Sequence, residues 1–258
     1  MPSLTVSGKT PLPKNYWILL PALRHWENHE RKGVIILKKG DFYWLAGLAA
    51  FVAILVIPET REMFVKFTTE HAYPGGFIKF FILATMGELL AIRIVTGGDW
   101  SIPKGLRFRA CVWGFLGMVI VLIFNIFATG IAGALSNGFL PGGNSKFAFA
   151  FFVSFTMNLS FAPTMMAFHR ITDTFIDMKY ENEGGKVTLS DVVKRIDWDG
   201  FVSFVLVKTI PFFWIPAHTI TFLLPPEYRV LMAAFLSIAL GAILAFAKKE
   251  KKGSQHLT

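Results

Sequence analysis

Two ionisable residues lie inside otherwise apolar runs: Glu88, within Gly76–Val95, and Lys208, within Phe201–Leu224. A charge in such a run is costly unless it is paired or faces water, which makes each a candidate for handling an ion or proton inside a membrane. Glu88 precedes Val95 by seven residues and Lys208 follows Phe201 by seven, so each sits roughly 10 Å from the same boundary at ~1.5 Å per residue. Equal depth predicts a Glu88–Lys208 ion pair, in which both groups stay charged. A pair that only fixes helix packing is the plainer alternative. His218, Asn158 and Asn125 also fall in apolar runs and are candidate pore or gating positions. For each of these three, an interhelical hydrogen bond is the competing role.

Other chemistries find little support. His25 and His29 have the i, i+4 spacing of a metal pair, but the order is not His-Glu-x-x-His and no further Cys or His follows nearby, so no metal is expected. Gly-x-Ser-x-Gly and a phosphate-cradling glycine loop are both missing, so neither an enzyme nor a cofactor is expected. Cys111 is the single cysteine and is read as a packing residue. Lys79 and Arg93, near the ends of their run, are expected to snorkel toward the interfaces.

The elements that must position these residues are helices. At 53% hydrophobic and 17% charged residues, with mean hydropathy +0.52, the chain is too apolar for an ordinary soluble domain, and the apolar residues come in blocks. The blocks are 42–57, 76–95, 110–135, 147–168, 201–224 and 230–247, which predicts an all-α, polytopic membrane bundle of about six spans. The first, at 16 residues, is short enough to be re-entrant or interfacial instead. Pro211 and Pro216 predict a break in the fifth helix, beside Trp214, because each removes a backbone donor and presses on the preceding turn. Pro225-Pro226, followed by Arg229, predicts a tight turn into the last span. Small residues at steps of four in that span, Ala233, Ser237, Gly241 and Ala245, predict close helix packing within the bundle or between copies in a homo-oligomer. The cluster Ala128, Gly130, Ala132, Gly133 and Ala134 in the third span is read the same way.

Charge sets the orientation. Between spans the Lys and Arg alternate, nineteen on one side and four on the other, with Lys79, Arg93 and Lys208 inside spans. By the positive-inside rule both termini are then cytoplasmic, or in the matrix of a mitochondrion. The formal net charge of +9 is spread over four segments, which fits anionic lipid at the cytoplasmic face and argues against nucleic acid. Residues 1–41 form a basic segment whose Tyr16–Trp26 stretch reads as an interfacial helix, and residues 248–258 form a basic tail. No secretory signal is evident, and Met1–Asn15 is thin in Arg for a transit peptide, so a bacterial cytoplasmic membrane is expected ahead of a mitochondrial inner or peroxisomal one. Arg170–Gly200 is the longest loop; Thr188, with Asp191 three residues on, predicts a helix start within it.

The stretch Trp214-Ile215-Pro216-Ala217-His218-Thr219-Ile220-Thr221-Phe222, followed by Pro225-Pro226-Glu227-Tyr228-Arg229, resembles the C-terminal signature of the Mpv-seventeen family, the twenty-two-kilodalton peroxisomal membrane proteins. Trp214, Phe222, Pro226 and Arg229 match; His218 stands where the family has Gln and Thr221 where it has Asn. Ser160-Phe161-Ala162-Pro163, with Asn158 before it, and Gly87-Glu88 resemble two further family patches, so the likeness covers about residues 76–247. The Trp-Asn of the family's last helix is replaced by Leu240-Gly241. The resemblance implies a small helical membrane protein of the kind proposed to form metabolite-permeable channels, with Glu88 in the place of the family's acidic residue.

Taken together, these readings predict a channel or transporter for ions or small metabolites, built around the proline-broken fifth helix. A non-conducting membrane scaffold that acts by binding other proteins is the alternative.

Overall fold

In a computed structural model, residues 37–96 and 98–255 are described, the last twelve as backbone alone. The expected interfacial helix at Tyr16–Trp26, with His25 and His29, and the side chain of Ala245 lie outside the described residues. All regular structure among the described residues is helical, in the order α1 (Lys39–Val56), α2 (Pro58–Glu70), α3 (Ala72–Val95), α4 (Leu106–Ser136), α5 (Lys146–Ser160), α6 (Ala162–Glu181), α7 (Leu189–Arg195), α8 (Trp198–Gly200), a π-helical segment (Phe201–Trp214), α9 (Ile215–Leu223) and α10 (Pro226–Gln255).

Local chemistry fixes the helix ends. Pro58 opens α2 and Pro226 opens α10, positions where the missing N–H costs nothing. Ser145 caps α5 by accepting from the Ala148 amide, and Thr188 with Asp191 forms the expected capping box at the start of α7. At the end of α4, Gly138 takes φ +74°, so that its amide reaches the Leu135 carbonyl and the Phe139 amide reaches that of Ala134.

Among the described residues, four helical stretches are long and apolar enough to cross a membrane: α1, α4, Trp198–Leu223, and Pro226–Ile243 of α10. The pair α5 and α6, bent by 46° at their junction, makes a fifth if it is one crossing. The expected second span, α3, is 24 residues long and is not among these stretches. The expected fourth span changes too. It breaks at Phe161, just before Pro163, and the chain stays helical to Glu181, so Asp173 and Asp177 lie on a helix and not in a loop.

The core lies where α3, α4, α5, α9 and α10 meet, around Phe80, Leu83, Ile120, Phe124, Val153 and Phe222. α3 runs through its centre. Glycines allow that closeness: a Cβ on Gly76 would stand 2.7 Å from the Gly117 carbonyl of α4, and one on Gly87 would stand 3.0 Å from the Ser237 carbonyl of α10. Gly241 meets the Gly87 carbonyl in return, so the stripe Ala233, Ser237, Gly241 packs within the bundle. The α4 cluster makes no close contact at its glycines within the bundle, which leaves packing between copies as its expected role. Nothing lies within 4 Å of a Cβ built on Gly130 or Gly133, and it is Gly114 and Gly117, nearer the start of the helix, that make the close approach to α3. α1 has no buried residue of its own; near its start Arg93 grips Asp41 through two hydrogen bonds of 2.8 Å and Trp100 adds a third, and farther along Phe51 and Leu55 rest against the core. Arg93 therefore pairs inward instead of snorkelling.

Candidate functional site

Among the described residues, two buried polar clusters join several of these helices. The first centres on Arg109, in the opening turn of α4. Its guanidinium stands 3.6 Å from Glu88 on α3, 3.1 Å from Asp173 and 2.5 Å from Asp177, both on α6. His169, Asp173 and Asp177 fall at i, i+4 and i+8, which brings all three to one face of α6. His169 Nδ1 lies 3.4 Å from Asp173, and its ring packs against that of Trp113 at 4.2 Å between centroids. The Arg109 side chain is only 5% exposed, while those of the three acids range from 17% to 24%. Arg109 Nε and His169 Nε2 are buried with no hydrogen-bond partner. The cluster thus gathers three carboxylates around one guanidinium, with spare polar capacity facing inward.

The second group centres on His218 in α9, whose position follows from the backbone before it. From Phe201 to Trp214 the hydrogen bonds run i to i+5: the Ile215 amide donates to Ile210, and the Thr209 hydroxyl donates to Phe204. Pro211 lies inside this stretch and Pro216 in the first turn of α9. The expected break therefore takes the form of altered hydrogen bonding, and the helix runs on as one 26-residue stretch. Ser154 and Thr219 both donate to the Ile215 carbonyl at 2.7 Å. Asn158, 1% exposed, donates to the Ser154 carbonyl at 2.8 Å and meets His218 Nδ1 at 3.1 Å through its amide nitrogen or 3.2 Å through its oxygen. The imidazole tautomer decides which of the two contacts is the hydrogen bond. Trp214 stacks on the same imidazole at 5.1 Å and Phe124 meets its edge at 5.7 Å.

Helix α4 touches both groups. Arg109 and Phe124 are roughly 22 Å apart along it at ~1.5 Å per residue, and between them Leu116 and Ile120 are 2% and 6% exposed. Along α4 the two polar groups are thus separated by buried apolar side chains.

Of the residues singled out from sequence, Glu88, Asn158 and His218 enter these groups. Lys208 does not: it is exposed on the outside of the π-helical segment, and the ionic partner of Glu88 is Arg109. Equal depth brought Glu88 and Lys208 level but left the direction of each side chain open. Asn125 is also exposed. Trp214 stacks on His218, with its indole nitrogen buried and unpartnered. Arg229 closes the turn after α9 by donating to the Leu224 carbonyl at 3.0 Å and lying over the rings of Phe149 and Phe222, next to Pro226. Among the described residues, no group of His, Cys, Asp and Glu is arranged to hold a metal ion.

Sequence reading missed Arg109, His169, Asp173 and Asp177. The i, i+4, i+8 spacing of the last three was the available signal, hidden because the segment was taken as a loop. An apolar groove of about 980 Å³ runs along α4, α6 and α7, lined by Phe108, Cys111, Phe115, Phe168 and Phe175, and holds no member of either polar group. No family model, curated protein or solved structure matches the chain.

Proposed function

We propose that this protein is a multi-pass membrane protein that moves a small ion or solute across the bilayer, with the Arg109 cluster as the charged station on the path. The observation that carries this reading is the meeting of Glu88, Asp173, Asp177 and His169 on one buried guanidinium. One guanidinium offsets one carboxylate. The remaining carboxylates reach charge balance by taking up protons, and ionisable groups among apolar helices mark such pathways. Asn158 and His218 form a second, uncharged station. Between the two stations α4 presents the buried apolar side chains Leu116 and Ile120, so passage requires the helices around them to shift. The π-helical segment, which leads directly to His218, is the element suited to that movement.

In this reading α3 is the sixth crossing. Its Lys79, Arg93 and Glu88 are covered by other helices, so its charge is not presented to lipid. α3 and α10 run parallel, with Gly87 beside Ser237 and Ala91 beside Gly241, which brings their C-terminal ends to one side. That side is the Lys- and Arg-rich one, assigned to the cytoplasm. The likeness to the Mpv-seventeen family belongs to the same proposal, with Glu88 as its acidic position, as does the bacterial cytoplasmic membrane.

The test is flux through proteoliposomes holding only the purified protein, assayed with protons, alkali cations and a small neutral sugar. Flux above that of empty vesicles supports the reading. Folded, inserted protein that passes none of these would favour a non-conducting scaffold.

A further inference from the structure

The apolar groove along α4, α6 and α7 serves neither polar group, and its two long walls run antiparallel. At one end the rings of Phe115 on α4 and Phe168 on α6 stand 6.0 Å apart; at the other, a Cβ on Gly105, just before α4, would meet Ile176 and Tyr180 of α6. On these walls the apolar blocks of the sequence begin at Ala110 and end at Phe168, so the groove starts inside the bilayer boundary and continues past it. Charge gathers at its outer end. Lys179 stands 5.9 Å over the ring of Phe175 and Arg107 stands 4.9 Å over that of Phe108, and both rings line the groove. Lys179 donates to the Gly185 carbonyl at 2.9 Å, and an ammonium carries three donors. Glu183 is the one acid among the described lining residues. Two cations against one acid leave this end net positive, which one phosphodiester balances.

The neighbouring helices point to the same occupant. α7 and α8 expose Leu189, Val193 and Trp198 beside the exposed Lys186 and Lys194, a mixture suited to the headgroup layer of a membrane. A cavity of about 980 Å³ with aromatic walls and few polar groups has the size and chemistry of a ligand site. From Phe168 to Lys179 the wall runs ~17 Å, close to the ~15 Å that one leaflet contributes to a hydrocarbon core of ~30 Å. We propose that the groove binds an anionic glycerophospholipid, with one acyl chain lying toward Phe115 and Phe168 and the phosphate at Lys179 and Arg107. A zwitterionic lipid offers the same chain without the net charge that the two cations favour. The site rests on the protein lying in a membrane and not on its conducting.

Cys111 lines the groove and is the one cysteine of the chain, so it reports occupancy in the unmodified protein. The experiment follows its alkylation by a small uncharged maleimide, with the full chain held in single-copy lipid nanodiscs. The discs are phosphatidylcholine with a rising share of phosphatidylglycerol. Phosphatidylglycerol should slow the reaction about tenfold, with a response that saturates as one site fills. The double variant Lys179→Gln with Arg107→Gln, in the same discs, separates this site from the general effect of an anionic surface, and its alkylation should respond at most weakly. A wild-type rate that ignores phosphatidylglycerol, or a double variant slowed as much as wild type, would overturn the site. Slow alkylation at every lipid composition in both proteins would give the groove to another part of the chain, and protection found only in discs holding two copies would give it to a second copy; either overturns the lipid. A chain that stays in solution without detergent or disc would remove the membrane reading and this site with it.

Discussion

Glu88 stands 3.6 Å from Arg109 across the seam between α3 and α4, at the end of that seam where Asp173 and Asp177 reach the same guanidinium from α6. One arginine thus ties three helices together and holds three acids near one another. Substituting Arg109→Met strands those carboxylates, and the expected loss is about 3–5 kcal/mol, the usual cost of breaking a buried charge pair from one side. Adding Asp173→Asn and Asp177→Asn should recover part of it. Thermal melting of the three proteins in detergent checks both statements; an Arg109→Met protein as stable as wild type would show that the cluster does not hold the helices.

The approach of α3 to α4 depends on Gly117, where a side chain would run into the Gly76 carbonyl and the Phe80 Cβ. Backbone cannot yield as a flexible side chain can. Gly117→Ala should therefore destabilise by at least about 1–3 kcal/mol, the range for overpacking a tight core. Gly133→Ala, on the same helix with nothing within 4 Å, should be neutral or slightly stabilising through helix propensity. Comparing the two melting curves tests the assignment of the contact to the first half of α4.

Asn158 and His218 are buried 60 residues apart in sequence, and each loses a partner if the other is removed. Asn158→Leu should cost about 1–3 kcal/mol, the penalty for a polar group left unsatisfied. The double variant Asn158→Leu with His218→Phe should be less destabilised than the sum of the single changes. A double-mutant cycle on melting temperatures measures this, and strict additivity would mean that the two side chains are not coupled.

Much of the helical architecture was legible in the sequence because apolar blocks, prolines and caps are local signals. Thr188 with Asp191 and the turn at Pro226 and Arg229 were readable from a few residues. The partner of Glu88 was not. Counting residues gives depth, but each step along an α-helix turns a side chain by about 100°, so Lys208 could lie level with Glu88 and still face outward. Arg109 was placed just outside the third span because hydropathy alone sets a boundary where a charge appears. Asp173 and Asp177 fall in the segment that hydropathy marks as a loop, and the helical spacing of His169, Asp173 and Asp177 becomes informative only once α6 is seen to run on to Glu181. The prolines pointed to the irregular backbone before His218, but not to its i to i+5 pattern, nor to Ser154 donating to the Ile215 carbonyl just beyond it.

The central claim, that the Arg109 cluster lies on a path for a small ion or solute, is tested most directly by proteoliposome flux for wild type, Glu88→Gln and Lys208→Met. Glu88 is on the cluster and Lys208 is exposed on the outer face, so both changes remove a charge from an apolar helix but only one alters the site. Flux changed about tenfold or more by Glu88→Gln and left at the wild-type rate by Lys208→Met is the predicted result. Wild-type flux in Glu88→Gln, or flux lost only in Lys208→Met, would contradict it.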